Sequence, residues 1–288
     1  MIIYLKLLIT MALWGGTFIA GRLVVQDLGP FAAAFCRFAV ASFSLVLLTY
    51  AIEGNLPWPP RKLWLPIGLL GLTGIFAYNV FFFSGLRTVE AGRAALIIAL
   101  NPVAIALGAA LFFKDPLGHR RLLGIGLSLL GAAVVISDGD PVRLLRGEVG
   151  LGELMMLGCV VSWMSYSLLG KVVMAELSPF ATTTYACVTG AVLLLGPALG
   201  EGLGDAIFAA TPTTWGSILY LGILGSAVGF SWYYDGVRQL GPARAGVFIN
   251  LVPVFAIALA ALFLQETPTS SLVLGGALVI AGVVTTNR

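Results

Sequence analysis

The sequence predicts an all-α integral membrane protein of ten transmembrane helices arranged as two inverted five-helix repeats. Three observations carry this: scarce charge, recurring charge-free apolar windows, and an internal repeat. Of 288 residues, 59% are hydrophobic and 10% charged, whereas a soluble globular protein carries roughly 25% charged residues. Too few charges remain to dress a water-facing surface.

The windows run in order along the chain: 7–21, 38–52, 63–86, 94–113, 122–137, 154–170, 177–200, 206–234, 245–265 and 267–287. Each approaches the ~20 apolar residues that a helix needs to cross a bilayer. None shows the period-two alternation of a barrel strand, and helices are the other way to satisfy backbone polar groups inside hydrocarbon. The connectors are mostly under a dozen residues long and leave no room for a soluble domain.

Cys36, Cys159 and Cys187 all fall inside predicted spans without metal-ligand spacing, so they read as small buried hydrophobes and predict neither disulfide nor zinc. The net charge of +3 is spread over short loops and offers no basic arm to nucleic acid. Its use is topological. One alternate set of connectors holds ten cations (Lys6, Arg61, Lys62, Lys114, Arg120, Arg121, Lys171, Arg238, Arg244 and Arg288), and the other holds five (Arg22, Arg87, Arg93, Arg143 and Arg146). The positive-inside rule then places both termini in the cytoplasm. Lys6 ahead of an apolar run could pass for a secretory leader, but that run has a repeat partner and is kept as the first span.

The second half of the chain copies the first at an offset of 149 early and 151 later. Trp14 falls on Trp163, Arg22 on Lys171 and Pro30-Phe31 on Pro179-Phe180. Gly71 and Gly74 fall on Gly222 and Gly225, Gly85-x-Arg87 on Gly236-x-Arg238, and Arg93-Ala94 on Arg244-Ala245. Asn101-Pro102-Val103 meets Val252-Pro253-Val254, and Gly124 and Gly131 meet Gly275 and Gly282. This divides the chain into a first repeat, 1–138, an extracytoplasmic connector, 139–149, and a second repeat, 150–288. A unit with an odd number of helices must re-enter the membrane from the opposite side, so the repeats are inverted. Such halves can exchange conformations about a substrate held near the midplane.

Polar and aromatic side chains stranded in apolar spans are the candidate lining of that site, because a polar group in hydrocarbon normally turns toward a bundle interior or a watered cavity. Trp14 and Trp163 sit centrally in helices one and six, away from the interfaces where Trp is enriched. Tyr78, Asn79, Asn101, Tyr166, Tyr185, Trp232, Tyr233 and Asn250 add aromatic faces with amide and hydroxyl handles. Each alone could be an ordinary interhelical hydrogen bond. Together they describe a wall suited to an amphipathic or aromatic small molecule. Arg37 is the charge well inside a span, and could meet a substrate carboxylate bidentately, snorkel to the interface, or pair with Glu90. Pro102 and Pro253 stand at matched positions where each is expected to bend its helix, as a gate hinge or as a fixed kink. Helices five and ten, with heptad-spaced glycines and no strong polar residue, read as peripheral scaffold. His119 beside Arg120 and Arg121 reads as a solvated or headgroup-facing loop residue.

Trp14-Gly15, Pro30 followed by Arg37-Phe38, and the twin segments Asn101-Pro102-Val103 to Phe112-Phe113-Lys114-Asp115 and Leu251-Val252-Pro253-Val254 to Gln265-Glu266 resemble the EamA-type branch of the drug/metabolite transporter superfamily. The resemblance covers nearly the whole chain, and within it the chain looks most like the YddG-type exporters of aromatic amino acids and other metabolites. Where the family usually has a Gly-Glu pair at helix ends four and nine, Lys114-Asp115 and Gln265-Glu266 stand here, and those acids receive no substrate role.

What the resemblance implies is a secondary transporter of a bacterial-type inner membrane, moving amino acids or related metabolites by alternating access. Small-molecule substrate and membrane lipid are the expected partners, with no nucleic acid, no obligate protein partner, no cofactor and no metal. A phosphorylated-metabolite or nucleotide-sugar antiporter would need several mid-span cations, and Arg37 stands alone. A cationic-drug exporter would need a mid-span acid, whereas Glu153 and Asp235 lie near helix ends. An enzyme would need a nucleophile with a base or a ligand cluster within reach, and neither is present.

Overall fold

The computed structural model describes residues 2–114, 118–140, 142, 149–240, 245 and 248–286. Asp115, Arg143, Arg146, Arg244 and Arg288 lie outside the described residues, as does most of the 139–149 connector. Among the described residues there are helices and no strand. Eight helices are long and apolar enough to cross a membrane: α1 Ile2–Asp27, α2 Pro30–Glu53, α3 Arg61–Leu86, α4 Ala91–Phe112, α5 His119–Ser137, α6 Leu151–Val173, α7 Pro179–Gly200 and α8 Pro212–Tyr233. Two more are apolar but shorter, α9 Ile249–Phe263 and α10 Ser270–Thr286.

Several helices overrun their charge-free windows because the charges at their ends find partners. Lys6, in the second turn of α1, bonds Asp235 at 2.8 Å, and Asp27, its last residue, accepts from Thr211 and Thr214 at 2.8 and 2.6 Å. The last window is shortened instead. Gln265 takes a left-handed φ of 56° after α9, and Pro268 biases the residue before it away from helix, so α10 starts only at Ser270.

The tethers between helix ends sort the chain into two faces. On one, the starts of α2, α4, α6, α8 and α10 meet the ends of the odd-numbered helices. Glu201 after α7 accepts from the Ala32 amide of α2, Glu266 after α9 caps α4, Arg93 of α4 pairs with Glu153 of α6 and donates to the Ile136 carbonyl of α5, and Ser271 of α10 donates to Asp138 after α5. The opposite face joins Lys6 to Asp235, Lys62 of α3 to Glu176 after α6, and Ser178 at the start of α7 to Glu53 at the end of α2. Successive helices therefore run antiparallel. Hydrophobic side chains along them remain exposed, among them Phe43, Leu65, Leu123, Val161, Val192 and Leu262, which is the surface a lipid solvent requires.

The principal packings carry a symmetry: α1 packs on α8 and α9 as α6 packs on α3 and α4, α2 packs on α8 as α7 packs on α3, and α2 pairs with α7 as α5 pairs with α10. Replacing each helix by the one five places away leaves this pattern unchanged. The α5–α10 seam shows why small residues recur there. A Cβ on Gly131 would lie 2.6 Å from the Gly275 carbonyl oxygen, and one on Gly124 would lie 2.6 Å from that of Gly282. The backbones touch only because the side chains are absent.

Two irregularities shape the interior. In α3 and α8 the matched segments Gly71–Ala77 and Tyr220–Val228 are π-helical, a widened turn common at functional sites. In α4 the helix breaks between Ala91–Ile98 and Asn101–Phe113, and α9 begins with a 3-10 turn, Ile249–Leu251, before Val252–Phe263. Pro102 and Pro253 are in the first turn of the segments that follow, where a missing N–H is tolerated. In α4 the expected bend is thus an interruption between two helical segments, and in α9 Pro253 follows the 3-10 turn at the helix start.

Candidate functional site

The breaks and π-helical turns surround a cavity of about 360 Å³, within the size range of small-molecule sites. Trp14 and Trp163 line it from α1 and α6. The Trp14 indole donates to the Gly225 carbonyl at 2.9 Å, in the π-helical turn of α8, and its ring packs 5.3 Å from that of Tyr233 and 5.8 Å from Phe230. Trp163 packs 5.4 Å from Tyr78 of α3 and 5.1 Å from Tyr166 of its own helix. Each tryptophan thus leans on the third helix of the other half.

Arg37 enters from α2 and is the charged residue of the lining. Its Nη1 donates to Asn79 Oδ1 at 3.0 Å, and Asn79 in turn donates to the Ile75 carbonyl at 2.9 Å. The guanidinium carbon lies 5.1 Å from the Phe38 ring centroid and 5.9 Å from that of Phe82, within cation–π range. Its Nε is buried and finds no partner among the described residues. Neither snorkelling nor pairing with Glu90 describes this arrangement. The neutral amide of Asn79 orients the arginine, and among the described residues no carboxylate compensates its charge.

Asn101 and Asn250 line the opposite side, after the α4 break and in the 3-10 turn that begins α9, with Pro102 and Pro253 close by. Asn101 Oδ1 and Asn250 Nδ2 are likewise buried without a partner, one an acceptor and the other a donor. The cavity therefore has a cationic pole on the α2–α3 side, an amide pole on the α4–α9 side, and aromatic walls between them.

Two predicted residues are elsewhere. Tyr185 donates its hydroxyl to the Pro57 carbonyl at 2.9 Å, outside the cavity. Thr183 and Cys187 are the α7 residues that line it, and a position two residues from each is about 200° around the helix from both. Trp232 is also absent from the lining, which takes its neighbour Tyr233 instead. Thr17, Phe18, Phe38, Phe82 and Ser226 were not anticipated, because small or apolar side chains in an apolar span carry no contrast. Scaffold describes α5, but Val279, Ile280 and Val283 bring α10 into the wall. His119 is exposed at the start of α5.

The lining thins toward the face where α4 starts. There Phe82, Phe83, Leu86, Val89, Ala91 and Ala94 are buried in a continuous plug. In the other direction it extends along α8, α9 and α10 to Tyr233, Ile249 and Val283.

Comparison with known proteins agrees with this architecture. A solved crystal structure at 21% identity superposes with a TM-score of 0.66 over 99% of this chain and 97% of its own, which shows the shared fold. A probable terminal-alkyne amino-acid exporter of Streptantibioticus cattleyicolor is 34% identical over 98% of this chain and 92% of its own length. The uncharacterized transporter YyaM of Bacillus subtilis is 31% identical over the same shares. The EamA-like transporter family matches residues 1–137 and again 150–288. With both halves matched, the chain belongs to the EamA-like transporter family and is a multi-pass membrane transporter of small molecules.

Proposed function

We propose that the protein is a secondary transporter of amino acids, aromatic or otherwise hydrophobic, working by alternating access. The observation that carries this is Arg37: one uncompensated cation, oriented by Asn79, in a cavity otherwise walled by aromatic rings and amides. A carboxylate neutralises it bidentately, and the rings of Trp14, Trp163, Tyr78 and Tyr233 accept an apolar side chain. The amino-acid exporter among its relatives supports the same class. A phosphorylated substrate would bring at least two negative charges to a lining in which, among the described residues, Arg37 is the single cation.

The reading takes α9 and α10 as spans alongside the eight longer helices, making ten, and the two halves as inverted repeats. The second family match, the exchange symmetry of the packing and the exposed Leu262, Phe263 and Leu274 of the short helices support it. It places both termini in the cytoplasm, so that the face carrying the α4 start is extracytoplasmic. A cysteine introduced in 139–147 should react with an impermeant thiol reagent on intact cells, while one at Gly118 should stay protected; the reverse pattern would invert the orientation.

The substrate class is tested in proteoliposomes. Arg37→Ala should impair uptake of hydrophobic amino acids about tenfold or more, the worth of one charge-assisted pair, while uptake of their neutral amides changes far less. Equal losses on acids and amides would reduce Arg37 to a packing residue.

A further inference from the structure

Glu266 lies outside the cavity, between α9 and α10, and holds three segments at once. Its carboxylate accepts from the backbone amides of Ala91 and Gly92 at 3.0 and 3.2 Å, capping the first turn of α4. It also lies 3.6 Å from Arg22 Nε of α1. Arg22 closes the ring by donating to the Val89 carbonyl at 2.6 Å, in the α3–α4 turn. The Glu266 side chain is only 12% exposed, so solvent screens these contacts weakly. An anion on two helix N-terminal amides is favoured by both the hydrogen bonds and the helix dipole. It sits directly above the buried Leu86, Val89 and Ala91 that close the cavity at this face.

We propose that Glu266 is the latch of this gate: its carboxylate, with Arg22, fastens the α9–α10 loop to the start of α4 and must release whenever the cavity opens to that side. The inference rests on the alternating-access reading. Opening here has to part α4 from α9 and α1, the elements that the carboxylate ties, and the tie consists of charge-assisted bonds at one atom group rather than a broad apolar interface. It therefore breaks as a unit and re-forms as one, which suits a switch between two discrete packings.

The test uses the full chain with its three native cysteines replaced by alanine and Thr17→Cys as reporter, since Thr17 lines the cavity between the two faces. Membrane vesicles of defined orientation are treated with an impermeant maleimide from the α4-start side. Losing one charge-assisted bond moves a two-state balance about tenfold, so Glu266→Ala should speed labelling from that side by about that factor. Glu266→Gln, which keeps the shape and one acceptor, should fall between the two and decides the matter should the alanine variant not fold. Unchanged labelling in the folded variants would overturn the latch. Passage of the impermeant maleimide through the Glu266 parent to the far side of the vesicle, which needs a cavity open to both sides at once, would overturn alternating access itself. As a second measurement, bridging Ala91→Cys to Glu266→Cys with a short bis-methanethiosulfonate, which forms a mixed disulfide at each thiol and releases methanesulfinate, should abolish transport until a reductant cleaves the bridge, and full transport with the bridge intact would also overturn the proposal.

Discussion

The two faces of the bundle are held by different physics. At the face where α4 starts, the more buried tethers include several that end on backbone, Glu266 on two amides, Glu201 on the Ala32 amide and Arg93 on the Ile136 carbonyl, with the Arg93–Glu153 pair beside them, while the Asp27–Thr211 and Asp138–Ser271 contacts are exposed. At the opposite face, among the described residues, the ion pairs join side chain to side chain nearer solvent. Lys62 and Glu176 are 68% and 39% exposed, against 20% and 15% for Arg93 and Glu153. An exposed pair contributes little because water and salt compete for both partners. A buried one commits its partners, since removing either leaves an uncompensated polar group. Among the described residues, one face is thus bolted by its buried tethers and the other more lightly fastened.

The α5–α10 seam offers the sharpest control on this comparison, because it spans both faces without distinguishing them. Gly131 lies toward the bolted face and Gly124 toward the other, and a side chain at either would meet the partner backbone at 2.6 Å. Backbone cannot rotate aside as a side chain can. Gly131→Leu and Gly124→Leu should therefore each cost about 3 kcal/mol or more, seen as loss of folded protein in detergent or a large fall in melting temperature. Similar losses would show that the asymmetry resides in the polar tethers. A loss at Gly131 alone would move it into the helix packing.

Arg93→Ala ranks next. It strands Glu153, frees the Ile136 carbonyl and touches no cavity residue, so the expected cost is about 2 kcal/mol, read as a lower melting temperature. Arg93→Lys keeps the charge but loses the planar fork, and should recover only part of it.

Which of these features the sequence announces follows from contrast. Trp14, Arg37, Asn79, Asn101 and Asn250 stand out against apolar helices, and all of them line the cavity. Phe82 and Val283 line it equally, but an apolar residue in a span looks the same whether it faces cavity, neighbour or lipid, because all sides of such a helix are apolar. Tyr185 was misplaced for the converse reason: its polarity serves a loop carbonyl. The π-helical segments and the interruption before Asn101 depend on how neighbouring helices press, and a glycine or proline marks only where they are permitted. Glu266 reads in the sequence as an acid at the end of helix nine with no substrate role. Its role appears only when the fold brings the start of α4, 175 residues away, to its carboxylate.

The smallest predicted effect completes the comparison. Lys62→Ala removes a contact of 2.7 Å, shorter than the 3.1 Å between Arg93 and Glu153, and distance alone would make it the stronger bond. Exposure argues otherwise. Both Lys62 and Glu176 regain water when separated, so the variant should lose no more than about 0.5 kcal/mol, and that small loss should vanish in molar salt, where charges are screened beyond about 3 Å. The Arg93→Ala deficit should persist under the same conditions, because the carboxylate it leaves behind remains half-buried. Melting both variants at low and high salt therefore separates burial from proximity. Were Lys62→Ala to cost as much as Arg93→Ala, or were both deficits to disappear together in salt, the two faces would be fastened alike.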